Sequence, residues 1–176
     1  MDTVHCLHAY TGEGKGKTTC AVGLCVRHAG CGGRVLFTQF LKGNNSGEIA
    51  PLSAMPGVTV LLGQPVKKFV FAMNAQERAE EADAQKAHLL RIDEAVRALR
   101  PTLVVCDELL AAIEVGFIDA GSAEECIRRW LESSEVVVTG RKAPQNIADL
   151  AGYATEMRKI KHPYDSGISA RRGVEF

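Results

Sequence analysis

Nine consecutive residues, Thr11-Gly12-Glu13-Gly14-Lys15-Gly16-Lys17-Thr18-Thr19, carry the groups needed to hold a polyphosphate. Glycines let successive backbone N–H groups curl around phosphate oxygens. A lysine bridges phosphates, a hydroxyl contributes to a Mg²⁺ site, and a helix presents its positive end where the loop closes. Thr11 stands where such loops usually begin with glycine, and Gly12 is placed to supply the unusual backbone angles instead. Gly12, Glu13, Gly14, Lys15, Gly16, Lys17, Thr18 and Thr19 are therefore the expected ATP contacts, although solvation explains Lys15 equally well. A second group, Asp107-Glu108, follows the apolar run Leu103-Val104-Val105-Cys106. A carboxylate at the end of a buried strand beside a phosphate loop holds Mg²⁺ directly or through water. Either acid fits that role, and an acidic helix cap is the structural alternative. The third group is Thr139-Gly140-Arg141-Lys142, after the strand-like Glu135-Val136-Val137-Val138. Open parallel sheets bind ligands at the carboxyl ends of their strands, so Arg141 is expected to reach the triphosphate.

These groups need a scaffold that alternates strands and helices, and the chain reads that way. Strands are expected over residues 4–9, 34–40, 58–62, 103–106 and 135–139. Helices are expected over 18–28, 108–115, 122–131 and 144–150. The longest helix begins near Asn74, where Glu77 three residues on completes a capping pair. Leu89, Ile92, Val96 and Leu99 recur at helical spacing until Arg100-Pro101 stops it. Residues 43–47 read as a loop and the tail from 161 shows no period. The expectation is one domain over 1–176 with an α/β, P-loop NTPase-like three-layer fold. Its central sheet is mostly parallel and flanked by helices.

Composition narrows the function classes. The 176 residues are 46% hydrophobic and 24% charged with formal net charge zero, an ordinary globular balance with no bulk attraction for nucleic acid or anionic membrane. Six cysteines without a Cys-x-x-Cys pair read as buried, reduced thiols of a cytoplasmic protein. Asp2 and two early histidines are unlike a signal peptide, and no apolar run approaches membrane-spanning length. His5, His8, His28 and His88 lack metal-ligand spacing, so packing or surface roles are expected. His162, Tyr164 and Asp165 lie too close in sequence to imply a convergent cluster. Phe69 and Phe71 flank Val70 in a loop, and core packing is their default reading.

Taken together, TGEGKGKTT, FTQFLKG, VVCDELLAAIEVGFI, VVVTGRKAP and the terminal KHPYDSGISARRGVEF resemble the corrinoid adenosyltransferases of the BtuR/CobO type almost end to end. The phosphate loop alone fits many ATP users; the strand end VVVTGR with the KHPYDSG tail is far more selective. The resemblance implies transfer of the 5′-deoxyadenosyl group of ATP to the Co(I) of cobyrinic acid a,c-diamide, cobinamide or cobalamin. Triphosphate leaves as a unit, bound in the loop in reversed orientation. It implies Lys17, Glu108 and Arg141 acting on that leaving group. Thr18, Asp107 and Glu108 would hold Mg²⁺, with Mn²⁺ as a substitute. Phe69 and Phe71 would face the corrinoid and help strip its lower axial ligand, Phe71 standing where a tryptophan is common. It further implies a homodimer and a separate reductant such as a flavoprotein. Some relatives carry an N-terminal extension that folds over the corrinoid; this chain begins almost at its first strand, so an ATP site without that lid is expected. The competing readings are a P-loop ATPase or kinase with ordinary phosphate orientation and an ATP-bound regulatory module.

Overall fold

The computed structural model describes residues 4–175, so Asp2 and the Phe176 that closes the tail motif lie outside the described residues. In chain order the elements are β1 (Leu7–Thr11), α1 (Lys17–Gly30), β2 (Val35–Gln39), α2 (Ile49–Ala54), β3 (Val58–Leu62), α3 (Ala75–Leu99), β4 (Leu103–Asp107), α4 (Leu109–Glu114), α5 (Ala120–Leu131), β5 (Glu135–Thr139), α6 (Gln145–Leu150) and β6 (Tyr153–Glu156). Among the described residues the strands form one sheet in the order β3-β2-β4-β5-β1-β6, and every neighbouring pair is parallel.

Side-chain alternation along the strands divides the core into two layers. Leu36, Val104, Cys106, Val136 and Val138 face α3, α4, α5 and α6, where Leu89, Ile92, Leu109, Leu110, Ile127, Trp130 and Ile147 complete the packing. Val35, Phe37, Leu103, Val105 and Val137 face the other way, onto Ala21 and Cys25 of α1 and Leu52 of α2. Helices on both faces explain why β2 and β4 are buried at every residue and open on apolar runs, the polar Thr38, Gln39 and Asp107 coming at their carboxyl ends. This is the expected three-layer α/β architecture, with all strands pointing their carboxyl ends to one edge.

The long helix α3 starts as expected. Asn74 accepts the Glu77 amide at 2.9 Å and the Glu77 carboxylate accepts the Asn74 amide at 3.0 Å. It stops at Arg100, whose φ of 47° is left-handed, just before Pro101. Helix α5 begins at Ala120, two residues earlier than expected, because Asp119 caps it through the Ser122 amide. Strand β1 starts three residues late and runs on to Thr11. Its ladder with β5 opens at Leu7 opposite Val136, and its ladder with β6 runs to the Thr11–Glu156 pair. Strand β6 and the short helix α2 were not expected from the sequence. All six cysteines are free; Cys25, Cys106 and Cys126 are buried, but Cys20 and Cys31 are exposed, so burial of the whole set does not hold. Among the described residues no helix is long and apolar enough to cross a membrane.

Candidate active site

The phosphate loop runs from the end of β1 into α1 and is stitched to two other strand ends. The Gly12 amide donates to the Arg141 carbonyl at 2.9 Å, and the Gly14 amide to the Met157 carbonyl at 2.6 Å. The Met157 amide returns to the Thr11 carbonyl at 2.8 Å. Gly12 adopts φ 102°, as its place in the loop suggested. A Cβ on Gly12 or Gly14 would lie 2.5 Å from the Met157 carbonyl oxygen, so the continuation of β6 requires glycine at both positions. Lys17 folds back over the loop, its ammonium donating to the carbonyls of Gly12 at 2.6 Å and Gly14 at 2.8 Å. Among the described residues no side chain caps α1 and no acid sits in its first turn, so its positive end is open to an anion. Glu13, Lys15 and Thr19 are exposed. Glu13 pairs with the Arg141 guanidinium at 3.4 Å, which brings the third sequence group to the loop.

Asp107 is wholly buried at the end of β4 and is the hub of the site. One oxygen accepts the hydroxyls of Thr18 at 2.8 Å and Thr139 at 2.7 Å. The other accepts the Gln39 amide at 3.1 Å and faces the Lys42 ammonium at 2.7 Å. Glu48 supports both of those donors, 2.6 Å from Gln39 and 3.4 Å from Lys42. Glu108 follows in a left-handed conformation, φ 61°, held by its amide donating to the Thr139 hydroxyl at 2.9 Å. A non-glycine residue there carries strain of about 1–3 kcal/mol, which is sustained where the surroundings over-determine it. Burial, and then the charge of Asp107, push the Glu108 carboxyl above its usual range against the opposing charges of Lys42, Lys17 and Arg141. Burial disfavours the charge of Lys42, yet Asp107, Glu48 and Glu108 outweigh it and hold the amine above the ordinary lysine value.

The donor set suits Mg²⁺. Among the described residues no three His, Cys, Asp or Glu side chains converge as a closed metal cage. Mg²⁺ on a nucleotide asks for less, namely one or two hard oxygen ligands beside phosphates and water. The Thr18 hydroxyl with the two adjacent carboxylates supplies that at the mouth of the phosphate loop.

Phe69 and Phe71 are 77% and 87% exposed, which overturns core packing as their role. Their rings stack with centroids 5.4 Å apart and planes 7° from parallel. The short helical turn Val70–Ala72, which carries Phe71 and follows Phe69, is tied to α3 and to the end of α4 by Arg78, which donates to the carbonyls of Val70 at 3.3 Å and Val115 at 3.1 Å. Lys68 pairs with Glu77 beside it. In the tail, His162 accepts the Tyr164 amide at 3.1 Å and Lys159 pairs with Asp165 at 3.0 Å, a local turn. His8 contacts Glu135 and Tyr10, His28 contacts Thr102, and His88 contacts Thr38, all roles in packing. Lys42, Gln39, Glu48 and Met157 are neighbours of the site to which motif reading gave no role, and Thr139 was named only as part of a strand end. Their one signal is position: four of them sit at or just beyond the carboxyl end of a strand.

A parallel sheet with a glycine-lysine loop after its first strand and a buried aspartate at the end of β4 defines a P-loop nucleotide-binding protein. Residues 3–176 match the family described as "ATP:corrinoid adenosyltransferase BtuR/CobO/CobP", and the chain belongs to that family. A corrinoid adenosyltransferase of Sinorhizobium sp. is 32% identical over 171 residues, covering 94% of this chain and 78% of the relative. One from Pseudomonas aeruginosa is also 32% identical, covering 97% and 83%. One from Escherichia coli K12 is 28% identical, covering 95% and 83%.

Proposed function

We propose that this protein is an ATP:corrinoid adenosyltransferase whose own residues act chiefly on the departing triphosphate. The electron pair of Co(I) forms a bond to the 5′ carbon of ATP, the C5′–O bond breaks, and triphosphate leaves with that bonding pair. A strong nucleophile and a competent leaving group need little proton transfer, so positioning and charge neutralisation dominate. The supporting observation is the convergence of one helix start and two strand ends on Asp107: Thr18 from α1, Thr139 from β5 and Lys42 after β2.

On this reading the open end of α1 and the ammonium of Lys17 hold the triphosphate. Lys17 exchanges its bonds to Gly12 and Gly14 for phosphate oxygens. Arg141, whose guanidinium pairs with exposed Glu13 alone among the described residues, can turn toward the same charge. Thr18 and Glu108 would hold Mg²⁺, or Mn²⁺ in its place, with Asp107 serving the ion through the Thr18 hydroxyl. The ion, when bound, supplies Lewis-acid stabilisation of the leaving oxygens. Phe69 and Phe71 present an apolar, pre-stacked face to the corrinoid. The working enzyme is a cytoplasmic homodimer, and a separate reductant, such as a flavoprotein, supplies Co(I).

The test is an anaerobic reaction of chemically reduced cob(I)alamin with ATP and Mg²⁺, following the cobalt spectrum and the phosphate product. A light-sensitive cobalt–carbon product with one triphosphate per turnover is expected. ADP or orthophosphate with untouched cobalt would instead mark an ATPase or kinase, and no product a binding module.

A further inference from the structure

Lys42 takes no part in the phosphate loop or in the acidic pair, yet the fold is strained to deliver it. Two adjacent strands, β2 and β4, end in the same way. After β2 the chain passes through Phe40, whose amide donates to the Asp107 carbonyl at 2.9 Å, to Leu41 at φ 54° and then Lys42. After β4 it passes from Asp107 to Glu108 at φ 61°. A branched aliphatic residue in the left-handed region is a costly choice. Leu41 is held there because its side chain packs against the core layer above β2. The Lys42 carbonyl accepts the Val66 amide at 3.1 Å, and Asn44 donates to the Gly63 carbonyl at 2.8 Å. The backbone on both sides of Lys42 is therefore fixed, and its ammonium lies 2.7 Å from Asp107 and 3.4 Å from Glu48.

The acceptor capacity of Asp107 is then full. An ionised carboxylate offers about four lone-pair sites, and Thr18, Thr139, Gln39 and Lys42 each take one. One of these donors is a cation, placed so that a dication approaching the same oxygen meets like charge. Glu108 differs: its carboxylate feels Asp107, Lys42, Lys17 and Arg141 through space, and no donor of the chain is bonded to it among the described residues.

We propose that Lys42 is a positioning residue of the metal–triphosphate site, neutralising Asp107 and keeping it a fixed acceptor for Thr18 and Thr139 rather than a competing metal ligand. This rests on the reading that Thr18 and the acidic pair serve a divalent ion. With Lys42 in place the ion is confined to the Thr18 and Glu108 side of the hub, where the triphosphate enters. Without it, Asp107 gains an uncompensated oxygen and draws the ion inward, away from the leaving group.

The test measures Mn²⁺ affinity in the presence of tripolyphosphate, read from the free Mn²⁺ resonance, with circular dichroism as the check on folding. Glu108→Gln alone is expected to weaken Mn²⁺ binding about tenfold or more, Lys42→Met to tighten it about tenfold, and Lys42→Arg to leave it near wild type. In the Lys42→Met background Glu108→Gln should cost less than about threefold, because Asp107 takes over. An equal cost of Glu108→Gln in both backgrounds overturns the role of Lys42 while leaving the metal site standing. No cost of Glu108→Gln in the wild-type background overturns the metal reading itself, and the role of Lys42 with it. Wild-type protein labelled with ¹³C-carboxyl aspartate gives a second measurement that needs no variant. Its Mn²⁺ complex should show no coupling to a directly bound aspartate, and such a coupling would overturn the proposal.

Discussion

The carbonyl oxygen of Met157 accepts the amide of Gly14 at 2.6 Å, so the end of the chain's last strand is hydrogen-bonded into its phosphate loop. The glycines of that loop are thus explained in part by protein packing and not by a ligand alone. A Cβ at position 14 would sit 2.5 Å from the Met157 oxygen and 2.8 Å from its carbon, backbone atoms that cannot step aside alone. Gly14→Ala should therefore lower stability by about 1–3 kcal/mol, as overpacking does. The fall is read as a lower midpoint of thermal unfolding, together with a raised KM for ATP. An alanine variant with wild-type melting would show that β6 is not anchored in this way.

Lys17→Ala separates chemistry from folding. Among the described residues the ammonium bonds only to two carbonyls of its own loop, which water can satisfy once it is gone. The fold should survive by circular dichroism while kcat/KM falls about 10²–10³-fold, the usual loss when a charge-stabilising donor is removed. Near-wild-type turnover in this variant would remove the phosphate-loop mechanism.

The sequence made the scaffold legible where chemistry and burial were local. Strands β2, β4 and β5 stand out because both faces are covered, which leaves unbroken apolar runs such as Val35-Leu36-Phe37 and Val136-Val137-Val138. Strand β6 does not, since its four residues Tyr153-Ala154-Thr155-Glu156 are exposed at the sheet edge and pair with β1, far away in sequence. Lys17, Thr18, Asp107 and Arg141 could be named as candidates because each belongs to a contiguous motif. Lys42, Thr139 and Met157 were not assigned roles because they meet the site only through the order β2-β4-β5-β1-β6, which no short pattern encodes. The exposure of Phe69 and Phe71 was also hidden. Two phenylalanines around a valine look like core until the flanking turn is seen pinned outward by Arg78.

Thr139 tests the hub directly. Its hydroxyl accepts the Glu108 amide and donates to Asp107, so one small group both fixes a strained turn and orients a buried acid. Thr139→Val keeps the shape but leaves a buried N–H and a buried carboxylate oxygen short of a partner, costing about 1–3 kcal/mol for the unmet donor. Stability measured in denaturant should fall by that order and Thr139→Ser should recover most of it. Equal stability of the valine and serine variants would deny the hydroxyl this role.

His88 gives the fold an acid-side limit. The Thr38 hydroxyl donates to the Leu61 carbonyl at 2.7 Å, so it accepts from His88 Nε2–H, also at 2.7 Å, and Nδ1 is left buried without a partner among the described residues. Burial, with the nearby charge of Arg91, pushes the imidazole down from 6.5 to about 4. The unfolded chain takes up a proton below 6.5 and the folded chain only near 4, so stability is lost as pH falls through that window. The full effect is about 3 kcal/mol, from the linkage of a shift of this size to folding. Denaturant titrations at pH 7 and pH 5 should show the loss beginning, and His88→Phe should flatten that part of the profile. A wild-type profile that is already flat would contradict the buried neutral histidine.

Phe71→Ala addresses the corrinoid side and spares the ATP side. The ring is 87% exposed and touches chiefly Phe69, so its removal should change stability by no more than about 0.5 kcal/mol, as for a surface substitution. If the stacked pair meets the corrinoid and displaces a lower ligand, kcat with cobalamin should fall by about tenfold or more, a loss of at least 1.4 kcal/mol in transition-state stabilisation. The loss should be smaller with cobinamide, which lacks the nucleotide base that binds cobalt from below in cobalamin. The affinity for ATP should stay at the wild-type value, because the phosphate loop and the Asp107 hub lie on other strand ends. An equal loss with both corrinoids would assign the pair to binding alone, and no loss with either would return the two rings to the solvent.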